Sequence, residues 1–96
     1  YPRHSLNDES FFLRAEISRS QGNTTAAADQ FIRLTTRYPK SPLADKSLFQ
    51  AARLYEETLN DRQAALKTYN RLLQQYPGSL LLPDARERIR AIRSEA

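Results

Sequence analysis

The chain has 96 residues, 40% hydrophobic and 27% charged, with two Gly and no Cys, Met or Trp. That is one small domain whose core buries roughly 60–65% of the unfolded surface; it excludes a disulfide scaffold, a thiolate metal site and a disordered or fibrous chain. Fifteen Lys and Arg against eleven Asp and Glu leave a net charge of +4, spread from Arg3 to Arg93 rather than gathered in a patch, which argues against nucleic acid as a partner.

The chain opens at Tyr1-Pro2 without a Met, as a mature, processed or excised piece would, and no signal peptide is visible. His4, the single histidine, follows in a loop with no second ligand at a useful spacing, and reads as a solvated residue. A first helix is predicted over 7–20, capped by Asn7 or Asp8, with Phe11, Ala15 and Ser18 spaced by 4 and 3. Gly22-Asn23 breaks the chain, and Asn23 or Thr24 caps a second helix over 24–37 with Ala27, Phe31 and Leu34 in phase. Ser41 followed by Pro42 reads as a cap with proline in the first turn of a third helix, 42–58, carrying Leu48, Ala52 and Tyr55. Asn60-Asp61 separates it from a fourth, 61–75, with Ala65, Tyr69 and Leu72 on one face. Pro77-Gly78 ends that helix. The run Leu80-Leu81-Leu82 is far short of the ~20 apolar residues of a membrane span. Pro83-Asp84 opens a fifth helix, 83–94, with Ala85, Ile89 and Ile92 as one apolar stripe among Arg86, Glu87, Arg88, Arg90 and Arg93. Strand alternation is absent, so the predicted class is all-α.

The elements repeat. Tyr-Pro recurs at Tyr1, Tyr38 and Tyr76, at intervals of 37 and 38 residues. YPRHSLNDESFFLRAEIS lies over YPKSPLADKSLFQAARLY without a gap, pairing Asp8 with Asp45, Phe12 with Phe49 and Ala15 with Ala52. AAADQFIRLTTRYP lies over QAALKTYNRLLQQYP, pairing Ala27 with Ala65, Phe31 with Tyr69 and Leu34 with Leu72. The extra residue of the second interval falls in the turn near Leu59-Asn60-Asp61. Ala15, Ala27, Ala52 and Ala65 are small where neighbouring helices must approach, and Phe31 and Tyr69 supply the large knobs beside them. Each Tyr-Pro reads as a helix end packed against the next unit.

This pattern resembles the tetratricopeptide repeat, two antiparallel helices of about 34 residues per unit. Ala15, Gly22, Ala27, Phe31 and Pro39 fall at that family's small, glycine, small, aromatic and proline places. Ala52, Tyr55, Ala65, Tyr69 and Pro77 do so in the second unit, which lacks the glycine and has Asn60-Asp61 instead; Phe11 and Leu48 hold the tryptophan place. The resemblance implies a right-handed superhelical stack forming one domain over 1–96: the end of a missing preceding repeat at 1–2, repeats at 3–39 and 40–77, and a capping helix at 78–96. The phrases YPKSPLAD and YPGSLLLPDAR look like the variant found in bacterial cell-envelope repeat proteins. Those include outer-membrane-assembly lipoproteins and the Tol–Pal coordinator type, and they suggest the periplasm or envelope. Cytoplasmic relatives share the phrase.

Stacks of this kind have no preformed reaction centre, cofactor or metal. They receive a peptide or protein segment on a concave helical face. By periodicity, Glu9, Phe12, Glu16 and Arg19 lie beside the packed stripe in the first unit, Lys46, Phe49, Arg53, Glu56 and Glu57 in the second, and Arg86, Arg90 and Arg93 in the cap. The partner-binding set is Phe12, Glu16, Phe49, Arg53, Arg86 and Arg90. The phenylalanines give apolar contacts, and Arg53, Arg86 and Arg90 give a positive end for an acidic or carboxylate-bearing partner. Two plainer readings stand beside this one: Phe12 and Phe49 as core residues between helix pairs, and the cap arginines as a solvated face. The family's chaperone-tail clamp uses asparagine and lysine where this chain has Glu16 and Arg53, so that activity is not implied. Leu6, Phe11 and Leu13 are expected to expose apolar surface toward a second copy or a missing repeat. A protein–protein interaction module and a structural spacer or self-association domain are the two functions that remain; an enzyme is not expected.

Overall fold

The computed structural model describes residues 7–95. Their regular structure is five α-helices: α1 (Asp8–Ser20), α2 (Thr24–Arg37), α3 (Ala44–Glu57), α4 (Arg62–Gln75) and α5 (Leu82–Ser94). The expectations at Tyr1-Pro2, His4 and Leu6 lie outside the described residues.

Local chemistry sets the helix starts. The Asn7 side chain accepts from the Ser10 amide at 2.9 Å, and that of Asp61 accepts from the Ala64 amide at 3.0 Å. Each satisfies an amide that the first turn leaves without a carbonyl. Asn23 stands at the start of α2 but makes no side-chain cap bond. α3 begins two residues later than the sequence predicts. Ser41 caps a short turn instead: its hydroxyl accepts from the Leu43 amide at 3.0 Å and its carbonyl from the Ala44 amide at 3.0 Å. Ser79 repeats the device before α5, accepting from the Leu81 amide at 3.0 Å. The link between α1 and α2 is 21–23 and that between α3 and α4 is 58–61, so the extra residue of the second repeat lies in this turn. Gly22, at φ 85°, and Asn60, at φ 53°, each turn the chain two residues before the next helix.

Each helix packs on the next in sequence. Ala15, Ala27, Ala28, Phe31, Ala51 and Leu54 form one buried cluster, which joins α1, α2 and α3. Leu48, Ala52, Ala65, Tyr69, Leu72, Leu82, Ala85, Ile89 and Ile92 form the other, which joins α3, α4 and α5. The two sides of α3 thus serve different neighbours, Ala51 and Leu54 facing back and Leu48 and Ala52 facing forward. Phe31 and Tyr69 are fully buried at equivalent places, and burial of side chains this size stabilises by about 1.5–3 kcal/mol each. Thr35, also buried, donates its hydroxyl to the Ala44 carbonyl at 3.3 Å, tying α2 to the start of α3.

The open side of α1 differs from expectation. Phe11 lies 5.9 Å from the Tyr38 ring, with the Arg37 guanidinium 5.6 Å from its centroid, so it packs within the first helix pair. Leu13 and Ile17, 60% and 46% exposed, are the apolar residues on the outer side.

Candidate functional site

The aromatic residues beside the packed stripes of α1 and α3 each contact the second helix of their own pair, and Lys46 of α3 reaches Phe12 of α1. The Phe12 ring packs edge-on against Phe31, centroids 5.4 Å apart, and carries the Lys46 ammonium 5.3 Å from its centroid. Phe49 repeats the edge-on contact against Tyr69 at 5.8 Å. Both rings are half-buried. Each ring thus packs within its helix pair, as the core reading expects, and keeps part of its surface accessible.

Charges line this face in pairs. Glu16 and Arg19 are 2.6 Å apart on α1, and Arg53 and Glu57 are 3.0 Å apart on α3. The Arg53–Glu57 pair stands between two hollows. One, about 410 Å³, is shared with Arg19, Thr24 and Gln50. The other, about 320 Å³, is walled by Phe49 and by Asp84, Glu87 and Arg88 of α5. Phe12, Glu16, Phe49 and Arg53 thus share the α1–α3 face.

Arg86 and Arg90 do not join them. The buried residues of α5 are Leu82, Ala85, Ile89 and Ile92. At 100° per residue, Asp84 and Arg88 fall on one side of that stripe, and Arg86, Arg90 and Arg93 on the other. The hollow beside Phe49 opens on the Asp84–Arg88 side. The stripe of Ala85, Ile89 and Ile92 fixes which side of α5 is packed but not which flank of that stripe faces α3, and the sequence reading puts the arginine flank there.

A polar network unforeseen from sequence reaches the second hollow through Arg88. Glu56, with only 11% of its side chain exposed, accepts from the Tyr69 hydroxyl at 2.9 Å and from Arg88 Nε at 3.2 Å, and pairs with Arg88 Nη2. Burial alone would raise the Glu56 carboxyl, but hydrogen bonds from Arg88 and Tyr69 and the charges of Arg88 and Arg53 outweigh it and hold it below the usual range. Burial, then the bond to Glu56, pushes the Tyr69 hydroxyl up. Arg88's own hydrogen bond to Glu56 raises its guanidinium, so the pair stays ionised. The available signal was Tyr69 itself: a tyrosine at the place where the first repeat has Phe31 needs a partner for its hydroxyl. Two adjacent acids, Glu56 and Glu57, were equally placed to provide it.

Chemically, the face offers aromatic edges, guanidinium–carboxylate pairs and shallow hollows. Among the described residues no group of three or more His, Cys, Asp or Glu could hold a metal ion. No described helix is long and apolar enough to cross a membrane. The arrangement suits recognition of an extended or helical segment, with rings for apolar side chains and both signs of charge beside them. A tetratricopeptide repeat family model matches residues 9–41 and again 46–79, once for each helix pair and over more than half of the chain. No curated protein matches the chain.

Proposed function

The chain belongs to the tetratricopeptide repeat family, and from that premise we propose that it is a protein–protein interaction module of a larger bacterial assembly or envelope scaffold. Tetratricopeptide repeats generally mediate protein–protein interaction. The segment bound here lies across the inner faces of α1, α3 and α5. Phe12 and Phe49 offer it apolar contacts. Glu16, Arg53, Glu87 and Arg88 provide charges of both signs, so the groove selects a segment by pattern rather than by net charge. The observation that carries this reading is the pair of half-buried rings, each backed by a buried aromatic and bordered by ion pairs. The bacterial and envelope setting rests on the YPKSPLAD and YPGSLLLPDAR phrases.

The test is a pull-down with the parent protein, wild type against Phe49→Ala plus Arg53→Glu, with helicity and melting compared in both. Loss of a recovered partner from a folded double variant supports the groove. A partner that tolerates both changes favours the second reading, a spacer or self-association domain. One observation favours that alternative: Leu13 and Ile17, one turn apart, are exposed on the outer side of α1. If they bring two copies together, light scattering shows a mass that rises with concentration and returns to monomer on Leu13→Arg.

A further inference from the structure

Arg86, Arg90 and Arg93 stand on successive turns of one flank of α5, all exposed. None has a carboxylate partner among the described residues. On α1, α2 and α3, Arg19, Arg33 and Arg53 are each matched by an acid of their own helix, Glu16, Asp29 and Glu57, and the arginines there that lack such a match, Arg14 on α1 and Arg37 on α2, are one to a helix rather than a run of three. Like charges three and four residues apart repel and destabilise a helix, yet these three are kept together, and the carboxylates of Asp84 and Glu87 line the Phe49 hollow instead.

Their register is specific. Leu82, Ala85, Ile89 and Ile92 repeat the spacing of Ala44, Ser47, Ala51 and Leu54, all buried on α3. In that register Arg86, Arg90 and Arg93 occupy the places of Leu48, Ala52 and Tyr55. Those are the residues through which α3 packs against α4. The strip therefore has the position and period of a helix-packing seam, with guanidinium groups where the preceding repeat has apolar and aromatic side chains.

We infer that this strip docks an acidic helix of a partner protein, lying along α5 as α4 lies along α3, with carboxylates spaced three and four residues apart. Each guanidinium fork takes a carboxylate bidentately. The aliphatic stems of the arginines cover the helix between the charges. A second copy of this chain fits less well, because on its α1 Asp8 accepts from Ser41 and Glu16 is paired with Arg19, which leaves Glu9 rather than a run of carboxylates for the strip. The site is distinct from the groove of the proposed function and stands or falls apart from it.

The test uses the whole chain, labelled with ¹⁵N, and two synthetic alanine-rich helical peptides of one composition. One carries its glutamates along a single face at that spacing; the other distributes them around the helix. Binding of the single-face peptide is expected to shift amides of 86–93 and of the adjoining surface of α4. Three exposed ion pairs favour it by about tenfold over the distributed peptide. The triple variant Arg86→Gln, Arg90→Gln, Arg93→Gln is expected to lose that preference with its melting temperature unchanged or raised, whereas Arg53→Glu keeps it. Equal binding of the two peptides, shifts confined to the Phe12–Phe49 face, tighter binding of duplex DNA at the strip, or cross-links between copies through α5 would each overturn the inference.

Discussion

The Ser79 hydroxyl donates to Asp45 Oδ2 at 2.6 Å, across 34 residues of sequence. One repeat earlier the Ser41 hydroxyl donates to Asp8 Oδ2 across 33 residues. Each serine also accepts from the amide two residues on. A single hydroxyl thus completes the turn before one helix and fastens it to the first turn of the helix one repeat back. Tyr76 adds a stitch between the two Tyr-Pro turns, donating its hydroxyl to the Pro39 carbonyl at 2.7 Å.

Ser79→Ala removes the donor to a carboxylate and the acceptor for the Leu81 amide. It is expected to cost about 1–2 kcal/mol, the lower part of the range for bonds to charged groups because the site is part-exposed. Asp45→Ala is expected to cost a similar amount. The double variant is expected to cost less than the two singles together, since they share one bond. Urea unfolding of the four proteins measures the coupling, and strict additivity would show that the clasp contributes nothing.

Glu56 makes stability depend on pH in a defined sense. Its folded carboxyl lies below the ordinary glutamate value of about 4.3. A group lowered in the folded state contributes its stability above the unfolded value and loses it as pH falls through the folded one. Glu56→Gln is therefore expected to be less stable at neutral pH and to lose less on acidification. Urea midpoints measured from neutrality into acid should converge for the two proteins. Parallel curves would exclude this linkage.

Ala27 and Ala65 are wholly buried against neighbouring helices at equivalent places in the two repeats. Leucine at either site has no room and is expected to cost about 1–3 kcal/mol through overpacking. Ala26→Leu, on the exposed side of α2, is the control and is expected to leave the melting temperature nearly unchanged. If all three variants melt alike, the small residues are not what lets the helices approach.

Much of this fold was legible because its signals are local. Spacings of 4 and 3 place Ala27, Phe31 and Leu34 on one face whatever they touch, and Asn7 and Asp61 announce helix starts through their own side chains. Depth and relative phase were not legible. Periodicity put Phe12 and Phe49 beside the packed stripe but not how far each ring sinks, which depends on Phe31 and Tyr69 across the helix pair. The Glu56–Arg88 pair joins helices 32 residues apart. It forms because α3 and α5 are both seated on α4, a relation no single-helix pattern contains. Phe11 was drawn off the open end by Tyr38 and Arg37 for the same reason.

Asn60 shows a departure in sequence that is no departure in structure. The second repeat lacks the first repeat's glycine, yet Asn60 adopts φ 53° in the turn where Gly22 adopts 85°. Asparagine is, after glycine, among the residues that most readily enter the left-handed region, because its short amide bonds locally to the backbone. A Cβ at Gly22 would meet nothing within 4 Å, so Gly22→Ala is resisted by the backbone alone and is expected to cost about 1–2 kcal/mol. Asn60→Gly is expected to be close to neutral, the easier turn offsetting the extra freedom of the unfolded chain. Asn60→Val places a β-branched side chain in the same conformation and is expected to cost more than Gly22→Ala. Thermal unfolding of the three variants ranks them. Equal melting of Asn60→Val and wild type would mean that the turn relaxes out of the left-handed region, and that the one-residue insertion, rather than the backbone conformation of Asn60, sets the angle between α3 and α4.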